Sequence, residues 1–218
     1  LNEFERIVNS QGARTGFYTL LRENEKLLEL LIAVAGNSPD LAEILVRNPD
    51  FLESLTRDPF LHRPKSLSDL RTELDAALKE ADGVRDREVK LFKQYEMLGI
   101  GVRDMLKLSG LPGILAELSD TADVLAENGL KEACGGRGPG PYAIFAMGKW
   151  GSRELGYYSD LDVLFVYDGP EEDSERYREL SQKFIAVLSA NTENGFLYKV
   201  DARLRPWGKS DVLVLPLE

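Results

Sequence analysis

One cysteine and one histidine stand among 218 residues. A single thiol, Cys134, excludes an internal disulfide. With His62 as the one imidazole, no ordinary zinc ligand set can be assembled either. Long apolar runs are also missing. None approaches the roughly 20 residues that carry a helix across a bilayer, and no signal peptide opens the sequence, so no membrane role and a cytoplasmic location are expected. Positive charge is scarce, with 27 Lys and Arg against 37 Asp and Glu and a formal net charge of -10. Nucleic-acid phosphates require clustered Lys and Arg, so nucleic acid is not an expected partner. Two phosphate-binding signatures are absent as well: the G-x-x-x-x-G-K-[ST] order, and a glycine-rich turn followed by a helix signal. An initiating Met is lacking. The sequence starts at Leu1 and stops soon after the apolar run Val212 to Leu217, which leads us to expect a piece of a longer protein.

What is present suits a folded chain: 43% of residues are hydrophobic, and 218 residues suffice for one domain or two small ones. Residues 1–60 read as helical. Phe17, Tyr18, Leu20 and Leu21 form an apolar face, continued by Leu27, Leu28, Leu30 and Leu31. Ser38-Pro39-Asp40 is a helix start, with Ser38 as the cap and Pro39 at the first position, and Asn48-Pro49 ends that helix. This region either offers a partner surface or caps a core. Ser66 or Ser68 opens a helix to about Ala81, with Leu70, Leu74 and Leu78 four apart. Glu88 to Leu108 carries apolar residues every three or four positions, interrupted by Gly99 and Gly101, which suggest a bend or the close approach of another backbone. Ile114 to about Ala133 reads as a further helix, with a break conceivable at Asn128-Gly129.

The hydrophobic period changes near Gly140. Beyond it the pattern predicts strands at 142–147, 161–167, 196–200 and 212–217, a helix over 171–189, and a turn at Lys209-Ser210-Asp211. The expected fold class is α+β: a helical N-terminal region followed by a small mixed sheet with a packed helix.

The chemistry concentrates in Tyr142 to Tyr167. Gly148 to Tyr158 reads as a loop holding Gly148, Gly151 and Gly156, with Lys149 and Arg153 among them. Asp160 and Asp162 follow. Carboxylates at i and i+2 of an extended chain point to one side, and their repulsion is relieved by a cation between them. A hard divalent ion with oxygen ligands, Mg2+ or Mn2+, is the expected match. Asp201, with Arg203 and Arg205, adds a third carboxylate after another apolar run. Three carboxylates from separated strands suit phosphoryl or nucleotidyl transfer, where two metals clamp the attacking and leaving oxygens. Each residue also has a plainer reading. Asp201 can form a salt bridge to Arg203 or Arg205. Lys149 and Arg153 can solvate a polyphosphate or be surface charges, with Glu154 as a partner for either. Ser159 can bond a phosphate oxygen or cap its turn, and Trp207 can stack on a base or simply pack. The unadorned alternative for the whole stretch is a hairpin with a decorated turn.

The run Gly148-Lys149-x-Gly151-x-x-Glu154-Leu155-x-x-x-Ser159-Asp160-x-Asp162 resembles the nucleotidyltransferase superfamily that includes DNA polymerase beta. Together with Tyr198-Lys199-Val200-Asp201-x-Arg203-Leu204-Arg205-Pro206-x-Gly208, it is similar to the bifunctional glutamine synthetase adenylyltransferase/adenylyl-removing family, and Phe92-Lys93 and Arg103-Asp104 extend the likeness upstream. Trp150, Ser152, Gly99 and Asp211 depart from the usual Leu, Gly, Arg and Gly. The resemblance implies a helical linker region at 1–60, a helical part of the catalytic domain at 61–140 and a nucleotidyltransferase core at 141–218, truncated at its C-terminus. It implies Asp160, Asp162 and Asp201 as catalytic and metal-binding residues, with Gly148, Lys149, Gly151, Ser159, Arg203 and Arg205 toward the nucleotide phosphates. It implies ATP as substrate, glutamine synthetase as target and a PII-type nitrogen signalling protein as a further partner of the full-length enzyme. Leu155-Gly156-Tyr157 and Leu197-Tyr198-Lys199 are closer to the domain that attaches AMP to a tyrosine than to the one that removes it by phosphorolysis. A non-catalytic helical interaction module is the rival from a different class.

Overall fold

The computed structural model describes residues 2–12, 15–56, 63–81, 83–203 and 212–217. The chain forms two compact units, one from residues 1–65 and 94–114, the other from 66–93 and 115–218. As expected, a helical N-terminal region is followed by a small mixed sheet with packed helices. His62, Arg205, Trp207 and the turn expected at 209–211 lie outside the described residues.

The first unit is helical because its polar residues cap and its leucines repeat at helical spacing. Its elements are α1 (Glu3–Ser10), α2 (Thr15–Glu23), α3 (Glu25–Asn37), α4 (Pro39–Arg47) and α5 (Phe51–Ser54). The charged break after α2 is itself a cap: the Asn24 side chain accepts the Leu27 N–H. Ser38 caps α4 by accepting the Leu41 N–H, with Pro39 following in the first turn, and Asn48 closes it. Each such cap contributes about 1 kcal/mol. Ile7, Phe17, Leu31, Val34, Leu45 and Leu52 build one core with Leu98 and Val102 from α7 (Arg85–Met105). Tyr18 falls outside the expected apolar face, at 60% exposed. Gly101 makes room for a side chain, where a bend or the approach of another backbone was expected. A Cβ there would stand 2.5 Å from Leu41 Cδ1.

In the second unit, α6 (Leu67–Glu80) starts with a reciprocal capping box between Ser66 and Asp69 and buries Leu70, Leu74 and Leu78. Helix α8 (Leu111–Ala133) runs through Asn128-Gly129 without a break. Gly129 instead makes room for α10 (Ser174–Ser189), since a Cβ there would meet Leu188 Cδ2 at 3.1 Å.

The sheet is organised around β2 (Leu161–Tyr167), which pairs antiparallel with β1 (Tyr142–Ala146). On its other side β2 pairs in parallel with β3 (Val200–Asp201) at its start and with β4 (Val214–Pro216) at its end. Leu161, Val163, Phe165 and Tyr167 alternate along β2 and are buried, as a half-covered sheet requires. From α10, Phe184 meets Phe165 edge-on at 5.9 Å, and Tyr177 stacks on Tyr167 at 4.8 Å. β3 is shorter than the expected 196–200. The backbone just before it is used elsewhere: the N–H groups of Leu197 and Tyr198 both donate to the Leu188 carbonyl.

Candidate functional site

Between β1 and β2 the chain makes a single helical turn, α9 (Gly148–Gly151), where the sequence read as loop. Two glycines permit it. Gly148 has a φ of +53°, and an added Cβ would run into Asp162 Oδ2. At Gly151 a Cβ would stand 2.5 Å from the Ala146 carbonyl oxygen. Gly148 therefore brings backbone against Asp162 of the acidic strand, and Gly151 brings it against the carbonyl that ends β1.

The turn is nailed to α8. Trp150 is buried, and its Nε1–H donates to Asp123 Oδ1 at 2.8 Å. Arg153 pairs with Asp120 and, at 3.2 Å, with Asp123. These partners, Asp120 first, hold its guanidinium more firmly in the charged form. The Leu155 N–H donates to Ser119 Oγ at 3.3 Å. Arg153 is thus engaged as an anchor, and Glu154 accepts from Ser152 Oγ at 3.1 Å, where a partner in Lys149 or Arg153 was expected. Ser159 takes the turn-capping option, accepting the Gly156 N–H at 3.0 Å. Lys149 is exposed.

Asp160 stands exposed just before β2. Asp162 and Asp201 are register partners on neighbouring parallel strands, so their side chains leave the same face of the sheet. Asp201 is also clasped by the residue two places on. Its Oδ1 accepts the Arg203 N–H at 2.9 Å, and both its oxygens accept Arg203 Nε–H at 2.8 Å. The Arg203 guanidinium is pushed further into its charged form by Asp201 above all, then by Asp160 and Asp162. One organic cation therefore feels all three carboxylates. Among the described residues, no group of three or more His, Cys, Asp or Glu side chains is drawn together closely enough to hold a metal ion. At this site Asp201 is paired with Arg203. In donor type the residues fit a hard divalent cation: all three are carboxylates, and a positive charge already sits among them.

Sequence reasoning missed Ser119, Asp120 and Asp123. The signal was available as a polar run, Ser119-Asp120-Thr121-x-Asp123, inside an otherwise apolar helix. It met Lys93 only as part of the family likeness and gave it no role; its amine donates to the Leu197 carbonyl over the Tyr198 ring. No helix of the described residues is long and apolar enough to cross a membrane.

Comparison with known proteins adds a family. Residues 28–218 match the model described as glutamate-ammonia ligase adenylyltransferase. A bifunctional glutamine synthetase adenylyltransferase/adenylyl-removing enzyme from Psychromonas ingrahamii is 32% identical over 241 residues, covering 98% of this chain and 26% of that protein. Proteins of the same description from Brucella suis, 32% identical over all of this chain (100%) and 24% of theirs, and from Methylococcus capsulatus, 30% identical over 98% and 26%, agree. The chain spans about a quarter of the length of these curated relatives.

Proposed function

From the premise that this chain belongs to the glutamate-ammonia ligase adenylyltransferase family, we propose that it is a catalytic core that transfers AMP from ATP to a tyrosine hydroxyl of glutamine synthetase. The observation that carries the proposal is the register of Asp162 against Asp201, with Gly148 packed on Asp162. Two acidic side chains on one sheet face, with a glycine backbone turn packed against one of them, suit the handling of a charged phosphate ester.

Asp160, Asp162 and Asp201 would hold the magnesium or manganese of the reaction. When bound, such an ion supplies positive charge against the α-phosphate and the departing pyrophosphate. The chain's own groups do the rest. Lys149, exposed beside Gly148, offers its ammonium to the phosphates. Arg203 swings from Asp201 to the same anion, because a guanidinium matches paired phosphate oxygens. Gly148 and Gly151 keep the backbone turn narrow, and Ser159 keeps the entry to Asp160 fixed. Freed of Arg203, the Asp201 carboxylate takes the phenol proton as the tyrosine oxygen bonds to the α-phosphorus and the bond to pyrophosphate breaks. The help is needed because a free phenol has a pKa near 10.

The test is an assay on the full-length parent protein with its other catalytic domain disabled, incubated with glutamine synthetase, Mg2+ and ATP labelled in the AMP portion. Label reaching a tyrosine of the target, and lost in D160A, supports transfer. Label released from premodified target only when phosphate is added would move the assignment to adenylyl removal. Neither result from a folded, partner-binding protein would leave an interaction module.

A further inference from the structure

We propose that Lys93 is a positioning residue that holds the chain entering β3 in register and thereby sets where Asp201 stands against Asp162. The inference rests on the catalytic reading of Asp201. β3 has two residues, so its own ladder fixes little, and a slip of one residue would turn Asp201 to the opposite face of the sheet. Among the described residues, it is the connection between α10 and β3 that is held in place ahead of the strand.

That connection is held from two directions. Within it, the Leu197 and Tyr198 N–H groups donate to the Leu188 carbonyl at 3.1 and 2.9 Å. Ser189 Oγ donates to the Tyr198 carbonyl at 3.1 Å. From α7, Lys93 Nζ donates to the Leu197 carbonyl and lies 4.2 Å from the Tyr198 ring centroid and 5.6 Å from that of Phe196. Lys90 stands three residues earlier on the same helix face. It is 1% exposed and donates to Thr192 Oγ1 at 2.8 Å while paired with Asp86 at 2.9 Å. The two lysines grip both ends of segment 192–197. Two residues past the Lys93 anchor, the Lys199 carbonyl accepts the Leu161 N–H at 2.8 Å, and the pairs Leu161–Val200 and Asp162–Asp201 follow.

A buried ammonium on a neutral carbonyl is a poor device for stability alone. Burial pushes the Lys93 amine down to about 8, and an apolar side chain of similar length would fill the space without that penalty. What the lysine adds is direction: a charge-assisted bond to one particular carbonyl, aided by two aromatic faces.

Amide hydrogen exchange on the 218-residue chain tests this in K93M and K93R. In K93M, peptides covering 196–203 should exchange roughly tenfold faster, with β1 and the first unit unchanged, and K93R should restore protection. In the full-length parent protein, K93M should lower kcat for AMP transfer with KM for ATP little changed, and K93R should recover most of it. Unchanged exchange at 196–203 overturns the proposal whatever the activity. Faster exchange throughout the second unit also overturns it, by making Lys93 a general packing residue, as does local loosening with kcat intact. Local loosening in K93M, in a parent protein that transfers no AMP even as wild type, supports the register role and sinks the catalytic reading of Asp201 instead.

Discussion

At the scale of single residues, the chain spends conformational and electrostatic cost where the acidic strand needs it. Gly148 adopts a left-handed φ against Asp162, a conformation that costs other residues about 1–2 kcal/mol. Lys93 is the second case, and it carries a pH prediction. Its folded pKa, about 8, lies below its usual 10.5. Between those values the unfolded chain binds more protons than the folded one, so this group makes stability rise with pH. The full difference corresponds to about 3 kcal/mol. Urea unfolding of wild type and K93M at pH 7.5 and pH 10.5 should show wild type gaining on the variant by up to that amount. A constant difference would mean that the amine binds its proton equally in the folded and unfolded chain, so that burial does not penalise its charged form. Gly148, Asp160, Asp162 and Asp201 stood out in the sequence as candidates through the glycine loop, the i, i+2 acidic pair and the family likeness, and the structure adds the register of Asp162 against Asp201. The role of Lys93 was not legible: the residue entered only as part of the family likeness, and its partner is a carbonyl some hundred residues on, which no local pattern reveals.

At the scale of elements, the turn between β1 and β2 depends on α8. Asp123 accepts from the buried Trp150 indole and pairs with Arg153, which also meets Asp120. Replacing Asp123 by Ala removes the acceptor of a buried donor, at a cost of about 1–3 kcal/mol. Chemical denaturation of D123A should register that loss, and Asp123→Asn, which keeps an acceptor oxygen, should recover part of it. Equal stability of all three proteins would show that α8 does not anchor the turn. Strand and helix positions here were largely legible from period and caps: β2 occupies the expected 161–167, and the capping box at Ser66 begins the expected helix. The exceptions have a common cause. α9 appeared where glycines read as loop, and β3 shrank because Leu197 and Tyr198 give their N–H groups to Leu188. Both are decided by partners outside the segment itself, which override local preference.

At the scale of the whole molecule, a helical region of leucine-rich core precedes a sheet that presents its acidic face beside a glycine turn. The change of hydrophobic period near Gly140 made that division legible. Less legible was the state of the acidic group, because whether Asp201 faces a cation or its neighbour Arg203 is a choice between two good partners. In this structure Arg203 holds it. The account requires that Arg203 yield to a metal–nucleotide complex, since magnesium gives up its waters reluctantly and leans on substrate phosphates. Calorimetric titration of the 218-residue chain with a non-hydrolysable ATP analogue, with and without Mg2+, tests this most directly. The predicted result is binding that needs the metal and disappears in D160A and D162A, both still folded; metal-independent binding that survives in both variants would contradict the account.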